Sequence, residues 1–141
     1  MRLEVRGRVV RGSGEAASFT DLDWVREEFR HKLGFDPFSG TLNIQTTKED
    51  AQAIYRLTKE TGVPIDPPTE GFCVARCLRA RVTALDAAPN QAQSAVQGAI
   101  IVPLVATYYE DIIEVMAPAK IMDALQLKDG QELSLEVWTD A

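Results

Sequence analysis

Between Leu3 and Val10 the chain alternates without a break. Leu3, Val5, Gly7 and Val9 fall on one side, and Arg2, Glu4, Arg6 and Arg8 on the other. Successive side chains of a strand point to opposite faces, so this spacing predicts a half-buried β-strand. The same period returns at Thr41–Ile44, with Leu42 and Ile44 as the apolar pair. It returns again where Leu133, Leu135 and Val137 alternate with Glu132, Ser134 and Glu136. Gly98–Pro103 reads as an apolar strand ended by its proline, Ile112–Ala117 as another ended by Pro118, and Gly71–Leu85 as a bent strand. Amphipathic helices are predicted over Asp21–Leu33, capped by Thr20 or Asp21, and over Lys48–Thr61. The second opens on a Thr47/Asp50 variant of the capping box and stops at Gly62. A short helix is expected near Ile121–Leu125, before a turn at Asp129-Gly130. Val63–Pro68 reads as a stiff extended loop, and Ala87–Gln97 and Leu104–Asp111 as loops. Strands outnumber helices and do not alternate with them as βαβ units. The prediction is a mainly β chain, a compact barrel with a few helices attached.

A chain of 141 residues fits one domain, taken as 1–141, with a core of its own. The net charge of −6 argues against a nucleic-acid partner, because such binding neutralises phosphates with Lys and Arg. It leaves room for a small phosphorylated ligand, which needs only a few local cations or one metal ion. Met1–Glu4 runs straight into the alternating pattern with no apolar leader, and the longest apolar run, Ala99–Ala106, is too short to cross a bilayer. The expectation is a cytoplasmic protein with no membrane partner. Cys73 and Cys77 read as free thiols, and His31, among Glu27, Glu28, Arg30 and Lys32, as a solvated side chain.

The stretch Leu33–Ile44 carries the strongest candidate for chemistry. Gly34 sits where a helix C-cap glycine belongs, and Asp36-Pro37 and Ser39-Gly40 are turn pairs. Beyond them Thr41 and Asn43 share the polar face of the strand. A hydroxyl and an amide oxygen side by side suit Mg²⁺ that already carries phosphates and water. On spacing alone, two ordinary polar residues on a solvated strand face are the commoner meaning. Gly12–Ala17 is a small loop after a strand, able to bring backbone N–H groups to a phosphate, but it is neither a P-loop nor a full dinucleotide fingerprint. Glu114 lies on an otherwise apolar strand. It reads either as a charge facing water or as an acceptor or base toward a ligand hydroxyl.

Three segments in register resemble one family. They are Gly7–Ala16, Leu33–Asn43, and Gly98–Pro103 followed by Asp111–Lys120; Leu127–Gly130 also fits. Together they are similar to the CTP-dependent riboflavin kinases known mainly from archaea; the likeness is weak from Lys48 to Gln97. The resemblance implies a six-stranded cradle-loop barrel that transfers a phosphoryl group from CTP to riboflavin, giving FMN and CDP, with Mg²⁺. It implies that Gly12, Ser13, Gly14, Glu15, Ala16 and Ala17 lie along the nucleotide, with Ala119, Lys120, Ile121 and Met122 on its other side. Thr41 and Asn43 would be the magnesium ligands. Glu114 would contact the flavin and serve as the catalytic carboxylate, and Ala106 stands where the family has a flavin-binding threonine. Phe35, Phe38, Tyr108 and Tyr109 would supply the aromatic slot. The departures are Ala16 for a glycine, and Ala106 with the missing basic residue before it; the second falls on the acceptor side. The alternatives are a non-catalytic nucleotide- or flavin-binding barrel, a kinase for another small alcohol, and a barrel serving only as an interaction domain.

Overall fold

A computed structural model of the chain describes residues 1–12, 20–66, 75–85, 94–103 and 111–139. The strands are β1 (Arg2–Val10), β2 (Leu42–Gln45), β3 (Val63–Ile65), β4 (Ala75–Ala84), β5 (Ala95–Pro103), β6 (Ile112–Met116) and β7 (Glu132–Trp138). The helices among the described residues are α1 (Asp23–Lys32), α2 (Lys48–Thr61) and α3 (Ile121–Ala124). None of the described helices is long and apolar enough to cross a membrane.

Every strand pairing is antiparallel, in the order β3-β4-β5-β6-β2-β1-β7, and β7 returns to pair with β4. The sheet therefore closes on itself, with β4, β5, β6, β2, β1 and β7 forming a six-membered ring. Strand β4 makes this possible by dividing one edge between two partners. Ala75, Arg76 and Cys77 pair with β3, while Arg79–Ala84 pair with β7. Closure leaves no open edge within the ring, which removes the main hazard of a β protein. The barrel expected from the sequence is thus present, with β3 as a short seventh strand outside the ring.

The alternation decides what lies inside. Val9, Leu42, Ile44, Val82, Ile100, Ile113, Val115, Leu133 and Leu135 meet in one buried cluster, which α2 extends with Ala51, Ile54, Tyr55 and Leu57. A second cluster sits outside the wall, where Val25, Phe29 and Leu33 of α1 cover Ile65, Ala75, Cys77, Ala99, Ile101 and Met116. Full burial of a Val, Leu or Phe side chain contributes about 1.5–3 kcal/mol, so the wall is held by packing on both faces where α1 covers it.

Local signals set most boundaries. The Thr47 hydroxyl accepts the Asp50 N–H at 3.1 Å and so caps α2. The N–H groups of Leu33 and Gly34 both reach the Phe29 carbonyl at 2.9 Å, and Gly34 takes φ +82°, closing α1 as its glycine predicts. Three expectations are corrected. Helix α1 has Leu22 as its N-cap, with no side-chain cap bond, in place of Thr20 or Asp21. Val63–Ile65 is a strand and not a loop, because Pro64 sits on an edge where its missing N–H costs nothing. Strand β5 begins at Ala95, inside the stretch expected to be a loop, because Ala95–Gln97 pair with Arg81–Thr83 of β4.

Candidate active site on the outer wall of the barrel

Leu42 and Ile44 point into the barrel, so Thr41, Asn43 and Gln45 emerge on its outer wall, each half-buried. Asn43 lies directly opposite Val10 on one side and Glu114 on the other, and Glu114 lies opposite Ile101. Side chains directly opposite in an antiparallel pair stand about 5 Å apart at Cβ. The Asn43 amide and the Glu114 carboxylate are thus neighbours by register, and the Thr41 hydroxyl donates to Glu114 Oε1 at 3.1 Å. Gly12 closes over them. A Cβ on Gly12 would lie 2.1 Å from Asn43 Nδ2, so a larger residue there would push the amide from its present position.

The turn before Thr41 is fixed from two sides. The Gly40 N–H donates to the hydroxyl of Thr20 at 2.8 Å, and Gly40 takes φ +99°. The Phe38 N–H donates to the Ala117 carbonyl at 2.8 Å, tying the turn to the end of β6. Between turn and strand end opens a shallow cleft of about 90 Å³, lined by Phe38–Leu42 on one wall and by Val115, Ala117 and Ala119–Met122 on the other. Lys120 stands exposed beside it.

A polar chain continues along the same wall. Arg8 donates from Nε and Nη2 to Gln45 Oε1 at 3.0 and 2.8 Å, and Gln45 Nε2 donates to Asp111 Oδ2 at 2.9 Å. The Tyr55 hydroxyl, reaching from α2, donates to the Ile112 carbonyl. Burial, followed by the negative charges of Glu114 and Asp111, pushes its pKa far above the usual tyrosine value, so Tyr55 stays a donor.

The fold therefore brings together Gly12, Thr41, Asn43 and Glu114, and puts Thr41 in one cleft with Ala119, Lys120, Ile121 and Met122. Ser13, Gly14, Glu15, Ala16, Ala17 and Ala106 lie outside the described residues, as do Tyr108 and Tyr109. Phe35 does not line this cleft. It packs edge-on against Phe29, with ring centres 5.6 Å apart, as part of the α1 cluster. Sequence reasoning missed Thr20, Tyr55 and the Arg8–Gln45–Asp111 chain. Gln45 was open to inference, since it extends the Thr41/Asn43 alternation; the other contacts join distant segments.

The donors gathered at the wall are a hydroxyl, an amide oxygen and one carboxylate, all hard oxygens. Among the described residues no three His, Cys, Asp or Glu side chains form a metal cluster. Such a set suits magnesium arriving with phosphate and water ligands, and not a dication caged by protein alone.

Residues 9–137 match the family model labelled CTP-dep_RFKase, described as "Domain of unknown function DUF120". The chain belongs to the CTP-dependent riboflavin kinase family. Among curated proteins it is similar to riboflavin kinases of three archaea. It is 37% identical to that of Archaeoglobus fulgidus over 135 residues, which are 96% of this chain and 54% of the relative. It is 36% identical to that of Methanosarcina mazei over 134 residues, 93% of this chain and 55% of the relative. The Pyrobaculum arsenaticum kinase is 35% identical over 134 residues, 93% and 59% of the two chains. The chain thus spans little more than half the length of the riboflavin kinases it matches.

Proposed function

We propose that this protein transfers the γ-phosphoryl group of CTP to riboflavin, giving FMN and CDP, with Mg²⁺ held by Thr41 and Asn43. The observation that carries the reading is one juxtaposition in a member of this family. The Thr41–Asn43–Glu114 cluster adjoins the cleft walled by Ala119–Met122, and Gly12 covers it. Phosphoryl transfer needs two substrates in line and charge neutralised on the phosphates, with little covalent work from the protein.

Each residue has a task in that scheme. Lys120, at the cleft, offers its ammonium to the phosphates. Gly12, having no side chain, lets the Asn43 amide lie against the backbone and so helps to hold it in place. Magnesium, when bound, would neutralise phosphate charge and hold the terminal phosphates in line. The terminal ribityl hydroxyl of riboflavin forms the new O–P bond while the bond from phosphorus to the β,γ-bridging oxygen breaks, and the CDP leaves with that electron pair. Glu114 takes the hydroxyl proton, with its carboxylate oriented by the Thr41 hydrogen bond.

The test is purified protein with Mg²⁺ and CTP, with and without riboflavin, scored for FMN and CDP by chromatography, with ATP as a parallel donor. Stoichiometric FMN and CDP, dependent on riboflavin and favouring CTP, is the expected outcome. No heat of binding from CTP or CDP at millimolar magnesium would overturn the reading. CDP formed without FMN would overturn the acceptor alone.

A further inference from the structure

Among the described residues Met1, Leu22 and Phe38 are the exposed large apolar side chains, and Phe38, at 45% exposure, is the aromatic one. Its backbone is not at liberty to tuck the ring away. One residue before the buried Pro37, the Asp36 carboxylate takes hydrogen bonds from Arg26 Nε and Nη2 at 3.1 and 2.9 Å. That pairing holds the Asp36 carboxyl below its usual pKa, so the clamp stays charged at neutral pH. The Phe38 N–H is bound to the Ala117 carbonyl, and the Gly40 N–H to Thr20. A turn tethered at three points thus presents an aromatic ring to water at the wall of the cleft.

The cleft is lined by two unlike groups. Thr41 belongs to the oxygen cluster with Glu114, and the aromatic Phe38 lines the same cleft, as do Ala119, Lys120 and Met122. Thr41 is three residues on from Phe38, a reach of at most about 10 Å. This is the layout for a ligand with a flat ring at one end and phosphates at the other. Given the proposed reading of the cleft as the CTP site, we infer that Phe38 stacks on the base of the bound nucleotide. The ring is then a binding element for the donor, not part of a flavin slot. Phe35, the other aromatic of this segment, is committed to Phe29. Aromatic–base stacking is indifferent to which base is stacked, so Phe38 supplies affinity and leaves the choice of cytosine to other groups.

Titration calorimetry on the full chain tests this, with CDP and with inorganic pyrophosphate as separate probes at millimolar Mg²⁺. Phe38→Ala is expected to weaken CDP binding by about tenfold to a hundredfold and to leave pyrophosphate unchanged. Phe38→Trp is expected to hold CDP within about threefold, because a larger ring stacks as well. Unchanged CDP affinity in Phe38→Ala overturns the inference. So does a parallel loss of CDP and pyrophosphate, which would mean that the turn only positions Thr41. A fall in riboflavin binding, read by flavin fluorescence, with CDP untouched would assign the ring to the acceptor instead. If the unsubstituted protein binds neither probe, the nucleotide reading of the cleft falls, and the stacking with it.

Discussion

Asn43 stands at a crossing of three strands, opposite Val10 on β1 and Glu114 on β6, with the Gly12 backbone against its amide. Its side chain is half-buried on the outer wall, so its loss leaves the inner core intact. Asn43→Ala is therefore expected to abolish Mg²⁺-dependent binding of CDP while shifting stability by no more than about 1 kcal/mol. Calorimetry with and without Mg²⁺, beside a thermal melt, reads both effects. An unfolded variant would make Asn43 structural, and normal binding would move the site elsewhere. Thr41 and Asn43 were legible in the sequence because a strand's period of two assigns its faces. Thr20 was not. Local chemistry reads it as a helix cap, but its hydroxyl accepts the Gly40 N–H from twenty residues away. No local pattern records a contact of that kind.

At the scale of elements, the seam between β5 and β6 depends on Gly98. A Cβ there would fall 2.0 Å from the Met116 carbonyl oxygen, which is backbone and does not swing aside. Gly98→Ala is expected to cost about 1–3 kcal/mol by forcing the strands apart, seen as a lower urea midpoint. An unchanged midpoint would show that the seam opens without penalty. The boundaries of α2 matched expectation because its start and stop are local: the Thr47 cap at one end and the Gly62 N–H on the Thr58 carbonyl at the other. Strand β3 was missed because its partner, β4, begins ten residues beyond its end, and a proline in a short segment reads as loop until an edge is supplied.

For the molecule as a whole, α1 covers the outer wall of the barrel over the start of β4, and Cys77 shows the result. It is fully buried beneath α1, and that burial drives its thiol pKa far above the ordinary range. A thiol kept from ionising is a poor nucleophile. In a Cys73→Ser background, Cys77 is expected to react with a disulfide reagent no faster than global unfolding exposes it, the rate levelling off at the unfolding rate at high reagent. A rate above that limit would mean that the α1 cluster opens locally.

The sequence by itself determined which faces of the strands are apolar, where Gly34 and Gly62 stop the helices and Thr47 opens one, and that Thr41 and Asn43 share a polar face. These are properties of neighbours along the chain, governed by backbone sterics and by periods of two and 3.6. Only the tertiary structure decided that β7 closes onto β4, that Glu114 stands opposite Asn43, that Thr20 holds the Gly40 turn, and that Phe38 faces the cleft while Phe35 joins the core. Each depends on register between segments far apart in sequence. Register is set by the packing of the whole barrel, which no single stretch encodes.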